Sequence, residues 1–235
     1  MARFIDSRKM GRGLHGGLDS HFHFSFADYY NPKNINFGAL RVINDDLVQP
    51  GAGFDTHPHK NMEILSYVIE GELTHEDSMN NRATLTRGQV QYMSAGTGVY
   101  HSEYNLGDTL LRFLQIWILP DRDGYPSNYG DYRFKLHDRD NRWMPVAAWH
   151  DNPDARAPIR IHADINVYAA MLDKGRTLDF AVGKGRQAYL VLIEGRAEMN
   201  GTFLNMRDAL EIVEEDIAVR AEENAHMLVI EMARG

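Results

Sequence analysis

Cysteine is absent from this 235-residue chain. That excludes a disulfide framework and thiolate metal ligands, so any metal must sit on histidine, carboxylate or water. No apolar run approaches the roughly 18 residues that a membrane-spanning helix needs. The opening Met-Ala-Arg-Phe-Ile-Asp-Ser-Arg-Lys holds no apolar segment of the signal-peptide kind, which makes the cytoplasm the expected compartment. Positive charge is in deficit, with Lys+Arg at 25 against Asp+Glu at 33 and a net charge of −8. Such a balance argues against direct nucleic-acid binding driven by electrostatics. Long helical periodicity is missing as well. What remains is a chain 43% hydrophobic and 25% charged, able to bury a sizeable core as one large β unit or as two domains of about 100 residues.

Against that background stand His57-Pro58-His59 and, further on, His101-Ser102-Glu103. In a strand, residues i and i+2 point the same way. Two such pairs on neighbouring strands aim three imidazoles and one carboxylate at a common point. This donor set suits a divalent first-row metal and leaves positions open for substrate or oxygen. Pro58 supports the reading, because it belongs at a strand end or edge and holds His57 extended. The expected ligands are His57, His59, His101 and Glu103. A second pair, His21 and His23, lacks a carboxylate partner within one hairpin and is read as pocket-lining or surface histidine.

Short strands separated by turn signals fill the first half. Phe22, Phe24 and Phe26 alternate in a strand or extended arm. Leu40 to Ile43, Glu63 to Glu70, Leu73 to His75, Ala83 to Thr86, Val90 to Met93 and Leu110 to Leu119 read as strands. Residues 121–158 break the rhythm. With Pro120 just before it, this stretch holds Pro126, Pro145, Pro153 and Pro158 and a polar run from Asp138 to Arg142. It is expected to connect two domains, 1–120 and 159–235.

The second half repeats the first. Tyr189-Leu190-Val191-Leu192-Ile193-Glu194-Gly195 matches Ser66 to Gly71, Leu204 to Ile212 matches Leu85 to Met93, and Met227 to Met232 echoes Phe113 to Ile118. The expected fold is all-β, two copies of a short-stranded barrel. Aligning Gly195 with Gly71 places Ala181 and Gly183 where His57 and His59 stand, with Ala221 near His101 and Glu223 near Glu103. The second barrel is expected to carry no metal.

The residues Gly51, His57, His59, Glu63 and Gly71 follow the first cupin pattern with one extra residue before the last glycine. Gly88, Gly96, His101 and Asn105 follow the second, with Ser94 in place of its proline. Together with Met93-Ser94-Ala95-Gly96-Thr97-Gly98, Leu40-Arg41-Val42-Ile43-Asn44 and the segment from Leu18 to Tyr30, they make the chain resemble the pirin family of bicupins. The resemblance is dense over residues 15–120 and thinner beyond. It implies one metal in the N-terminal barrel, held by His57, His59, His101 and Glu103, with Fe(II) the first choice and Mn, Co, Ni, Cu or Zn accommodated. Glu63 is then expected outside the ligand set, in reach of orienting a ligand histidine.

Two activities are implied. Some bacterial pirins resemble quercetin 2,3-dioxygenases, which open the central ring of a flavonol with O2 and release carbon monoxide. The alternative is an iron-binding redox-sensing or transcription co-regulator module that works through a protein partner. The dioxygenase reading makes Glu103 the expected general base, a small aromatic molecule such as a flavonol the partner, and the chain a monomer.

Overall fold

The computed structural model describes residues 2–234. It is built of strands, and the helical elements among those residues are two short 3-10 turns, Ser7–Lys9 and Leu136–Arg139. No helix among them is long and apolar enough to cross a membrane. The chain forms two compact units, one covering Gly11–Lys135 with Ile161–Ala163, the other covering the residues through Met10, Leu136–Arg160 and those from Asp164 onward. Each is a cupin-type barrel. The expected boundaries at 120 and 159 differ from these units, because β1 (Arg3–Ile5) falls in the second unit, residues 161–163 fall in the first, and the expected connection divides between them at 135.

The N-terminal unit contains β2 (Gly11–His15), β3 (Leu18–Phe22), β4 (Leu40–Val48), β5 (Gly53–His59), β6 (Glu63–Glu70), β7 (Leu73–Asp77), β8 (Arg82–Leu85), β9 (Val90–Ser94), β10 (Val99–Tyr104), β11 (Leu111–Ile118) and β12 (Asn128–Tyr132). A seven-stranded sheet runs in the order β12-β9-β6-β11-β4-β3-β2, and a four-stranded sheet in the order β5-β10-β7-β8. The sheets close on an apolar end in which Val48, Val68, Leu73, Leu85, Leu111 and Phe113 pack together. The longest apolar run, Leu111–Ile118, lies central in the larger sheet between β4 and β6. That position suits a strand buried on both faces.

The C-terminal unit contains β13 (Met144–Trp149), β14 (Ile159–Ile161), β15 (Ile165–Leu172), β16 (Thr177–Phe180), β17 (Arg186–Glu194), β18 (Arg196–Met199), β19 (Thr202–Asn205), β20 (Ala209–Val213), β21 (Ile217–Ala221) and β22 (Ala225–Ala233). Its sheets run β1-β20-β17-β22-β15-β13-β14 and β16-β21-β18-β19. Here β1 flanks β20 as β12 flanks β9 in the first unit.

The stretch expected as a connection therefore contributes β12 to one barrel and β13 to the other. Its prolines do not forbid strands, because they fall where no N–H is needed. Pro145 lies beside a break in register, between Pro145 and Ala147, in the pairing of β13 with β15. Bulges are among the few places a sheet accepts proline.

The repeat shows in the turns. Gly71 (φ 76°) and Gly195 (φ 82°) occupy equivalent corners after β6 and β17. A Cβ on Gly71 would meet the Leu110 carbonyl at 2.5 Å, and one on Gly195 the Asn224 carbonyl at 2.1 Å. Both corners need a left-handed residue with no side chain.

Candidate metal centre

The strand β5 pairs with β10 so that His57 stands opposite His101, and a shift in register between His101 and Glu103 sets Glu103 opposite Phe54. On the other side, β10 pairs with β7, with Glu103 opposite His75 and His101 opposite Asp77. Alternation along three neighbouring strands thus turns His57, His59, His101, Glu103 and His75 to one interior. His57 and His59 are half-buried, and the other three are buried.

The three expected histidines come together. His57 Nε2 lies 3.0 Å from His59 Nε2 and 3.2 Å from His101 Nε2. Two nitrogens bound at about 2.1 Å to one metal, at right angles, stand about 3 Å apart, so this spacing fits neighbouring positions around one ion. The tautomers fit as well. His57 Nδ1 lies 2.7 Å from the Asp55 carbonyl, which can only accept, so that nitrogen carries the proton and Nε2 keeps its lone pair. His75 Nε2 lies 3.2 Å from the Asp77 carboxylate, and His75 Nδ1 lies 3.5 Å from His101 Nδ1. With Asp77 accepting from Nε2, His75 Nδ1 is left to accept from His101, and the lone pair of His101 falls on Nε2.

Burial, with repulsion from His101 and then His57, pushes the His59 imidazole down to about 3. Burial, followed by His57 and His75, does the same to His101, also to about 3. Both are neutral in the ordinary pH range and present lone pairs, as metal binding requires.

Glu103 belongs to a second cluster that shares His101 and includes His75. Its Oε1 accepts from Ser66 Oγ at 2.7 Å and from Gln91 Nε2, and its Oε2 accepts from Gln115 Nε2 at 2.5 Å. Two lone pairs per oxygen leave one unused position, on Oε2. A single metal bond is still available to this carboxylate. His21 and His23 fall in neither cluster among the described residues.

Glu63 is buried on a different set of partners. It accepts from Tyr92 Oη and Ser94 Oγ, each at 2.6 Å, and from the His162 backbone N–H at 3.2 Å, with His162 Nδ1 at 3.3 Å. It orients no ligand histidine, and the expectation that it would is corrected.

Sequence reasoning missed His75 and Asp77, although they repeat the i, i+2 signature on β7. It also missed Ser66, Gln91 and Gln115. Their signal was a polar residue inside an otherwise apolar strand, as in EILSYVIE and LRFLQIWI.

The C-terminal barrel shows what replaces the cluster. Glu103 pairs with His75, and by the same topology Val219 pairs with Met199. Ile217, opposite Phe180, then takes the place of His101 opposite His57. Val182, Met199, Ile217 and Val219 all belong to the apolar core there, and Phe180 packs against it. The alignment that put Ala181, Gly183, Ala221 and Glu223 at these places is off by one to four residues, because the loops after β16 and before β21 differ in length from their counterparts. Glu223 itself is exposed.

A family model described as Pirin matches residues 4–118, and one described as a quercetinase C-terminal cupin domain matches residues 151–232. A pirin-like protein of Caulobacter vibrioides is 43% identical over 96% of this chain and 97% of its own length. A quercetin 2,3-dioxygenase of Escherichia coli K12 is 38% identical over 96% of each chain. The crystal structure of the bacterial pirin YhhW from Escherichia coli in complex with nickel(II) superposes with a TM-score of 0.92, at 37% identity and covering 100% of both chains.

Proposed function

The chain belongs to the pirin family, and from that premise we propose that it is a metal-dependent dioxygenase acting on flavonol-like substrates. The observation that carries the reading is the convergence of three imidazole Nε2 atoms at 3.0 and 3.2 Å, with the protons of His57 and His101 held on the far side. His57, His59, His101 and Glu103 are the proposed ligands of one divalent metal. The nickel(II) bound by the E. coli pirin supports a divalent ion as the metal here. Fe(II) is one such ion, and the donor set accepts several others.

When bound, the metal supplies a Lewis-acidic centre of about +1 net charge that favours an anionic oxygen. The chain's own residues do the rest. His75 and Asp77 fix the direction in which His101 presents its lone pair, and the Asp55 carbonyl does so for His57. Glu103 would hold the metal at rest through the one free lone pair on Oε2 and, once released from it, take the proton of the flavonol 3-hydroxyl. Ser66, Gln91 and Gln115 keep its carboxylate from turning away. The ring of Trp117, 4.7 Å from that of His59 and edge-on to it, keeps water from that flank.

The test is to load the protein in turn with Fe(II), Mn(II), Co(II), Ni(II) and Cu(II), and to follow flavonol absorbance and carbon monoxide in air. Loss of absorbance with stoichiometric carbon monoxide is expected. No cleavage with any of these ions would overturn the enzyme reading in favour of a metal-sensing module with a protein partner.

A further inference from the structure

The mechanism above uses none of the aromatic segment from Phe22 to Tyr29, nor the polar residues inside β4. These meet in a cavity of about 550 Å3 in the N-terminal unit, walled by Phe22, Phe26, Tyr29 and Phe54, with the buried Ser20 and Asn44 at one polar end and the exposed Arg12, His15 and Asp28 also lining it. Its volume lies within the range, about 300–1,000 Å3, of small-molecule pockets. The wall is closely fitted. A Cβ on Gly11 would fall 2.3 Å from the Tyr29 ring, and one on Gly13 would fall 2.8 Å from the Phe22 ring, so β2 lies flat against both rings. The cavity flanks the metal centre: Phe26 meets Trp117 edge-on at 5.3 Å, and Trp117 meets His59 at 4.7 Å.

The polar end is unusual for an apolar cavity. Asn44 is 3% exposed, and its Oδ1 has no hydrogen-bond partner among the described residues. Asp46, two residues on and therefore on the same face of β4, is 1% exposed, and neither of its oxygens makes a hydrogen bond of full geometry. Ser20 stands opposite Asp46 across the β3–β4 pairing. Buried acceptors without donors are rare and costly in folded proteins. Asn44 Oδ1, on the wall of an aromatic cavity, marks where a ligand brings a donor.

We propose that this cavity binds a flat hydroxylated aromatic molecule, with Asn44 accepting from a phenolic hydroxyl and so selecting hydroxyl over hydrogen or ether. The ring system named rests on the dioxygenase reading; the site and its selectivity do not. Flavone-like rings stack between Phe22, Phe26 and Phe54, and the hydroxyl-bearing edge meets β4.

The probes are luteolin, its tetramethyl ether and unsubstituted flavone. None carries a 3-hydroxyl, so binding is read without turnover. Each is titrated anaerobically into nickel-loaded protein, and tryptophan fluorescence is followed. Luteolin should bind about tenfold or more tighter than its ether or flavone, since an unpaired buried acceptor gains its donor. Asn44→Leu should bring that ratio close to one and leave flavone binding unchanged. If that variant does not fold, the wild-type comparison of luteolin with its ether still decides. Equal binding of these two by the wild type, or an unchanged ratio in Asn44→Leu, overturns the proposal. Selective luteolin binding by a protein that cleaves no flavonol supports the cavity reading and removes the dioxygenase reading alone. Flavonol cleavage with an unchanged ratio in Asn44→Leu removes the cavity reading alone.

Discussion

His75 Nδ1 faces His101 Nδ1 at 3.5 Å, back to back with the nitrogen that His101 offers to the metal centre. Through its Nε2 the same ring reaches Asp77, which accepts in addition from the backbone N–H groups of Met79 and Asn81 and from the Asn81 amide. A carboxylate at the end of β7 therefore sets the tautomer of His101 two rings away. Replacing such a supporting group commonly costs about 10–100-fold in metal affinity. His75→Phe is expected to weaken binding by that amount, read by chelator competition. Asp77→Asn should have a smaller effect of the same sign. Wild-type affinity in both would show that His101 orients itself.

Metal stoichiometry separates the two barrels. One equivalent per chain is expected after loosely held metal is removed, and His59→Ala or His101→Ala should lower it sharply. The second barrel offers Phe180, Val182, Ile217, Val219 and Met199 in the corresponding places, and none of these is a good ligand for a hard or borderline divalent ion. Two tightly bound equivalents would contradict this assignment.

Glu103→Gln tests the proton-transfer role. The amide oxygen can still accept from two of the three donors, Ser66, Gln91 and Gln115, but the amide nitrogen must face one of them. If metal content is retained, the loss of a general base should lower flavonol turnover by about 10²–10⁴-fold. A rate near that of the wild type at full metal content would leave Glu103 as a charge-balancing group.

Asp46 makes stability depend on pH. Its folded-state value, about 7, lies above the ordinary aspartate value, chiefly because of burial and then the charges of Asp45 and Glu103. A raised carboxyl favours the protonated folded state. Its contribution is complete below the unfolded-state value near 4 and is lost as pH rises through about 7. Asp46→Asn should remove that component, so the variant gains on the wild type between about pH 4 and pH 7. Urea melts of metal-free protein across this range measure it. Parallel stability curves for the two proteins would refute the assignment.

Glu63 provides the contrast. Glu63→Gln is expected to destabilise the fold by about 1–3 kcal/mol, because Tyr92, Ser94 and His162 all donate to the carboxylate. Metal stoichiometry should stay at one. A loss of metal without a loss of stability would reinstate Glu63 near the ligands.

The parts of the fold that were legible in the sequence are those with a period. Alternation exposed the strands, the repeat of Ser66–Gly71 in the second half exposed the two barrels, and i, i+2 spacing exposed His57, His59 and His101. Glu103 was legible as a neighbour of His101, but not its three buried donors, which lie on β6, β9 and β11 and meet it only through folding. His75 escaped because the strand read there, Leu73 to His75, stops short of its carboxylate companion Asp77. The strands β12 and β13 were hidden by prolines that fall at strand ends and at a bulge. Equivalent positions in the second barrel were misplaced because short loops change length without a signal, and a one-residue slip reverses the face a side chain takes.

The pairing of β1 with β20 joins residues far apart in sequence, Arg3 opposite Glu211 and Ile5 opposite Ala209. On a ribosome, the residues of β1 emerge long before those of β20. The first barrel has all its strands, β2–β12, once residue 132 is out. The C-terminal barrel must wait for a segment made near the end to reclaim one made near the beginning, and closing so long a loop is slow. Until then the outer edge of β20 has no neighbour, and an unpaired edge invites pairing with other chains. Folding of this protein is therefore expected to be ordered in time, with the N-terminal barrel complete first and the C-terminal barrel the more exposed to misassembly.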